Sequence, residues 1–322
     1  MRILLAYDGS AGAEAARDLL AHLPLPRGTY IAMVAVLERG PALFGVPEIA
    51  VVPADAAEAE AQLASDLQDA LHSASRALEA PDRRLETKVL RGRTASALLD
   101  EARAVQPDLI VIGSRGHGPM SSLLLGSVSA EVVDHAPCPV LVARSPSVHR
   151  LVVAVDGSAT AQRALDLLGR WPIFAGMPAS VVTVAEPTPT WAMSLGALGG
   201  AFYPAWTDLS DEAVANRRRQ LGEIGARAVS ELGRAGVPAD RKVRVGDPAN
   251  ELIRAAAEAG ADLIVCGSRG LSTLPRLVLG SVARKVLLHA PTSVLVVREP
   301  RERVKSEEPV GVPVGTGVAG AG

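Results

Sequence analysis

Short runs of consecutive apolar residues, such as IVIG and VLVA, alternate along the chain with longer stretches whose apolar positions recur about every 3.6 residues. An apolar run without polar alternation is a strand covered on both faces, and the amphipathic stretches are the crossover helices that cover it. In the first half this pattern predicts strands near 2–7, 29–37, 85–91, 108–113 and 139–143, and helices near 11–22, 56–79, 94–105 and 127–135. The second half follows the same plan. Its third helix has a start signal, because Asp247 can accept from free backbone N–H groups at the N-cap and Pro248 presets the first turn. The first half has Arg93 and Thr94 there instead.

The two halves are copies of one another. ILLAYDGS at 3–10 returns as LVVAVDGS at 151–158, and DLIVIGSRG at 108–116 returns as DLIVCGSRG at 262–270. LLLGSVSAEVVDHAPCPVLVAR at 123–144 returns as LVLGSVARKVLLHAPTSVLVVR at 277–298. So long a period is a whole domain, not a solenoid repeat. The 322 residues suit two domains of about 150 each.

The fold class expected is therefore α/β: two tandem doubly wound units, each a five-stranded parallel sheet of order 3-2-1-4-5, over 1–144 and 149–298. RSPSVH at 144–149 joins them, and the charged, then Gly/Val/Pro-rich stretch 299–322 reads as a disordered tail. Between the second strand and second helix lie about 18 irregular residues in copy one and about 25 in copy two, the latter containing PTPTWAMSLGALGGAFYPAW. Connections of that length serve as functional lids or as surface insertions, and both readings stay open.

Composition narrows the function classes. Three Trp, three Tyr and three Phe provide few stacking platforms, and a net charge of −2 gives no footprint for a polyanion, so nucleic acid is a poor partner. No stretch reaches the roughly 20 apolar residues of a membrane span, and the start of the chain has no charged leader, which together point to the cytoplasm. Cys138 and Cys266 lack paired spacing and read as packed thiols, not as a disulfide or a metal site.

In a doubly wound sheet a ligand sits where the strand order reverses, beyond the carboxyl ends of the first and fourth strands. Those strands end in Asp8-Gly9-Ser10 and Gly113-Ser114-Arg115-Gly116, and in copy two in Asp156-Gly157-Ser158 and Gly267-Ser268-Arg269-Gly270. Across a gap of nine residues from Gly116 and Gly270, Gly126-Ser127 and Gly280-Ser281 open a helix. A phosphate suits this place: glycines permit positive φ and close backbone approach, and a helix N-terminus offers free N–H groups and a favourable dipole. Arg115 and Arg269 can add charge. His117 and Cys138 become Leu271 and Thr292 in copy two, which argues against a catalytic role for either. His135 and His289 recur at a helix end before Ala-Pro, a structural position.

The GxxG, nine-residue gap and Gly-Ser of both copies resemble the ATP-binding type of the universal stress protein family, as do the aspartate closing the first strand and HAP at 135–137 and 289–291. The resemblance spans both copies. It implies one ATP, with magnesium, per copy: Asp8 and Asp156 toward adenine and ribose, Val36 and Val184 near the base, and the glycines with Ser127 or Ser281 on ribose and phosphates. It also implies that the copies pair through their last strands, VLV at 140–142 and 294–296, as an intramolecular pseudo-dimer; further homodimerisation is left open. The chain has no lysine after its glycines and no kinase loop, so a regulatory or stress-response role with little or no dedicated catalysis is expected. A slow nucleotide hydrolase and a sensor of AMP or a cyclic nucleotide are the alternatives.

Overall fold

The computed structural model of the chain describes residues 1–38, 54–116, 125–186, 203–270 and 279–298. Most of both long connections, His117 and Leu271, and the tail 299–322 lie outside the described residues.

The first copy contributes β1 (Arg2–Ala6), α1 (Ala11–His22), β2 (Thr29–Leu37), α2 (Ala54–Ser75), β3 (Arg83–Arg91), α3 (Thr94–Val105), β4 (Leu109–Gly113), α4 (Ser127–His135) and β5 (Val140–Ala143). The second contributes β6 (Leu151–Ala154), α5 (Ala159–Arg170), β7 (Ala179–Ala185), α6 (Tyr203–Arg234), β8 (Ala239–Val245), α7 (Pro248–Ala259), β9 (Leu263–Gly267), α8 (Ser281–His289) and β10 (Ser293–Val297). Helix α6 begins at Tyr203, so the YPAW that ends the stretch expected to be irregular is helical.

The ten strands form one sheet in the order β3-β2-β1-β4-β5-β10-β9-β6-β7-β8. Each copy is parallel within itself and has the expected 3-2-1-4-5 order. The copies join where β5 meets β10 antiparallel, with Leu141 opposite Leu295. Alternate residues of each strand enter opposite layers. Ile3, Leu5, Leu141 and Leu295 pack toward α1, α2, α5 and α6, while Leu4, Val140, Val142, Val294 and Val296 pack toward α3, α4, α7 and α8.

The seam between the copies is apolar. Val140, Leu141, Val142 and Val294, Leu295, Val296 are all at most 2% exposed. Full burial of each such side chain is worth about 1.5–3 kcal/mol. The ion pair across the same boundary, Arg284 to Asp134 at 3.0 Å, is part-exposed and contributes about 0–1 kcal/mol. Apolar burial therefore dominates the joining of the halves. The free edges β3 and β8 read RRLETKVLR and ADRKVRV, and their charges discourage pairing with another chain. Burial pushes the Cys138 and Cys266 thiols up to about 12, which leaves both protonated and unreactive near neutrality.

Asp247 caps α7 as its sequence signal predicts, accepting from the Asn250 N–H at 3.1 Å, and it also pairs with Lys285 at 2.9 Å. The Lys285 bond first, then the backbone bond, holds its carboxyl below the usual value. Replacing Asp247 with Ala is expected to cost about 1 kcal/mol of stability in urea unfolding. That loss is full above about pH 4, the ordinary aspartate value, and closes as the pH falls through the lower folded-state value.

Candidate functional site

Strands β1 and β4 are parallel neighbours, yet α1 leaves for one layer of helices and α4 lies in the other. A crevice opens between them at the carboxyl ends of the strands, and β6 and β9 repeat the arrangement.

Asp8 stands at the mouth of the first crevice and bridges its two sides. Its Oδ1 accepts from the Ser10 N–H at 3.0 Å, while its Oδ2 faces Gly116 so closely that a Cβ there would lie 2.4 Å away. Asp156 repeats this, with Ser158 N–H at 2.8 Å and a Cβ at Gly270 only 2.9 Å from its Oδ2. The register Ala6 to Val34 brings Val36, half-buried, level with Asp8, and Ala154 to Val182 does the same for Val184 and Asp156. Arg115 is exposed and Arg269 half-buried, each within its glycine turn.

Of the two roles expected of the GxxG glycines, positive φ is not used, whereas close backbone approach is, between strand and helix. Positive φ falls at Gly9 (75°) and Gly157 (85°), where the chain turns from strand into helix, and not at the GxxG glycines. What Gly113 provides is clearance: a Cβ there would sit 2.4 Å from the Gly12 carbonyl carbon in the first turn of α1. Gly267 meets Thr160 in the same way, at 2.5 Å from its Oγ1. Strand β4 thus lies directly on the start of α1, and β9 on the start of α5.

Hydroxyls then tie the two turns together. Ser10 caps α1 by accepting from Ala13 N–H at 3.2 Å, and its Oγ donates to the Arg115 carbonyl at 3.1 Å. Ser158 retains the cap, but Thr160, which stands where copy one has Gly12, donates to the Arg269 carbonyl. Ser10 belongs to a repeated motif and could have been singled out from it. Thr160 has no such signal, because its counterpart is a glycine.

The opposite wall is a helix N-terminus. Gly126 N–H donates to the Ser114 carbonyl at 2.8 Å, and Gly280 N–H to that of Ser268 at 2.8 Å, which sets α4 and α8 against the glycine turns. Neither Gly126 nor Gly280 supplies a side-chain cap. The first-turn N–H groups, including those of Ser127 and Ser281, have no partner within their own helix, and they suit an anion.

At the rim an ion pair joins the start of α3 to Glu131 of α4 through Arg93, and the start of α7 to Lys285 of α8 through Asp247, with the charges exchanged between copies. Lacking an acidic cap of its own, α3 borrows Glu38 from the end of β2, which accepts from Thr94 N–H at 3.2 Å and from the Thr94 hydroxyl. The hydroxyl bond is the main cause of its lowered carboxyl pKa. His135 is structural as read, its Nδ1 bonded to the Glu131 carbonyl at 2.9 Å. Among the described residues no cluster of three His, Cys, Asp or Glu could hold a metal, and no helix is long and apolar enough to cross a membrane. A separate hollow of about 620 Å³, lined by His72, Ser75, Glu79 and Arg83 among others, lies at the amino end of β3, away from the crevice.

Known proteins resemble this chain along its length. The sequence profile of the universal stress protein family matches residues 1–144 and again 147–298. A universal stress protein of Thermus aquaticus is 35% identical over 142 residues, 44% of this chain and 97% of that one. One of Mycolicibacterium smegmatis is 29% identical over 224 residues, 66% of this chain and 69% of that one. The crystal structure of a universal stress protein from Archaeoglobus fulgidus superposes with a TM-score of 0.57 at 19% identity, covering 92% of this chain and 98% of that one, and so shares its fold.

The clearance at the strand ends is testable by adding one methyl group. Gly113→Ala and Gly267→Ala each force backbone or a hydrogen-bonded threonine to move, and each is expected to lower stability by about 1–3 kcal/mol in denaturant unfolding. An unchanged midpoint would mean that the turns are loosely packed.

Proposed function

The chain belongs to the universal stress protein family, and from that premise we propose that each copy binds one adenine nucleotide, ATP with its magnesium, and that the protein is a nucleotide-responsive regulator of the cytoplasm with little or no dedicated catalysis. One observation carries the reading: in both copies an uncapped helix N-terminus faces a glycine turn, with an aspartate on the far side. The helix receives the phosphates through its first-turn amides from Ser127 or Ser281 onward, with the Ser hydroxyls in reach, while the Gly126 and Gly280 amides hold the glycine turns. Asp8 or Asp156 takes the ribose side, and Val36 or Val184 packs against the base. Arg115 and Arg269 add positive charge beside the phosphates. A bare glycine at 116 and 270 keeps the aspartate and the turn close enough to share one ligand. The metal arrives with the nucleotide; the magnesium supplies charge neutralisation on the phosphates.

Calorimetric titration with Mg-ATP tests this. The expected result is two equivalents per chain, one after Ser127→Asp or Ser281→Asp, and none after both. An aspartate in the first helical turn favours the helix dipole, so these variants keep their fold while repelling phosphate. Absence of binding by the unmodified chain would overturn the proposal. Tighter binding of AMP or a cyclic nucleotide would favour a sensor of that ligand, and rapid phosphate release would favour a hydrolase.

A further inference from the structure

Each half of the chain ends in an arginine that grips the other half. Arg144, just past β5, donates from Nη2 to the Leu287 carbonyl at 2.5 Å and from Nη1 to the Thr292 carbonyl at 3.2 Å. Arg298, just past β10, donates to the Val133 carbonyl. Leu287 and Val133 hold equivalent positions in the last turns of α8 and α4, where carbonyls lack intrahelical partners. A cation suits a helix C-terminus, and a charge-assisted bond in a dry place is a strong one. Arg298 is only 9% exposed.

The same arginines adjoin the glycine turns of their own copies. Gly113 pairs with Ala143, the residue before Arg144, and Ser114 N–H donates to the Ala143 carbonyl at 3.0 Å. Gly267 pairs with Val297, the residue before Arg298, and Ser268 N–H donates to the Val297 carbonyl at 2.8 Å. Each arginine thus stands beside one crevice and holds the far end of the helix whose N-terminus forms the other.

We propose that Arg144 and Arg298 are positioning residues that act across the duplication: each sets the phosphate-receiving helix of the opposite copy, and together they couple the two sites. The inference rests on the nucleotide reading above. Helices α4 and α8 span nine residues each, so a carbonyl pinned in the last turn fixes the direction of the first-turn N–H groups. Releasing the pin lets the helix tilt on the sheet and misaligns its amides. The coupling has a short path, because the glycine turn of copy one is bonded to Ala143 and the next residue, Arg144, holds α8. Arg144 is pushed down to about 10, by burial first and then by the nearby charge of Arg115 in the glycine turn of copy one. By linkage the effect of one site on the other is reciprocal.

The experiment uses Mg-ATP titration of the full chain in two single-site backgrounds, Ser127→Asp for the second site alone and Ser281→Asp for the first alone. Arg144→Ala is expected to weaken binding about 5-fold or more at the second site and to leave the first within about 2-fold, although Arg144 belongs to the first copy. Arg298→Ala gives the opposite pattern. Arg144→Lys recovers part of the affinity because an ammonium still donates to the carbonyl, and it serves as the readout should Arg144→Ala not fold. A general loss of stability would weaken both sites equally; that result, or a loss confined to the arginine's own copy, overturns the inference while leaving the nucleotide reading intact. No binding by the unmodified chain overturns both.

Discussion

The fourth strand of each copy runs so close to the first turn of the helix after the first strand that its last residue has no room for a side chain. At Gly113 the obstruction is the backbone of Gly12, and at Gly267 it is Thr160. This contact decides where everything else in the crevice stands. It brings the turn after β4 within hydrogen-bond reach of Ser10, and the turn after β9 within reach of Thr160. It also lets the carboxylates of Asp8 and Asp156 lie against Gly116 and Gly270. Once the turn is placed, its Ser114 or Ser268 carbonyl anchors the amide of Gly126 or Gly280, and the helix N-terminus follows. The crevice is thus a consequence of backbone packing between two strands and two helices, with side chains added at its margins.

Much of this was legible in the sequence because it depends on local patterns that occur twice. Unbroken apolar runs fixed the parallel character of the sheet, the repeated glycine turns located the switch point, and Asp247-Pro248 announced a helix start that the structure contains. The seam at β5 and β10 was expected from the family resemblance. What escaped were contacts between residues distant in the chain. Glu38 serves the start of α3 from 56 residues away, and nothing near either residue advertises it. The GxxG glycines were read as serving positive φ or close backbone approach, and only the second occurs, because a spacing cannot distinguish a residue that needs positive φ from one that needs clearance. Arg144 was read as the start of the linker and Arg298 as the last residue before the tail, since their partners lie in the opposite copy.

Duplication has preserved geometry more strictly than chemistry. The rim ion pair survives with its charges exchanged, Arg93 with Glu131 in one copy and Asp247 with Lys285 in the other. The hydroxyl that ties the glycine turn to the first helix moved from Ser10 to Thr160. In both cases the contact persists while its donor changes. The two crevices therefore share a frame yet differ in the charge around it, and a single chain presents two related but unequal crevices on one continuous sheet.

The central claim is that the uncapped N-termini of α4 and α8, facing the glycine turns, are where an anionic nucleotide binds. Backbone amide resonances followed during titration with Mg-ATP test it residue by residue. Saturable shifts are predicted at 113–116 with 126–129, and at 267–270 with 280–283. Shifts confined to other surfaces, such as the hollow beside His72 and Arg83, would contradict the assignment of the site.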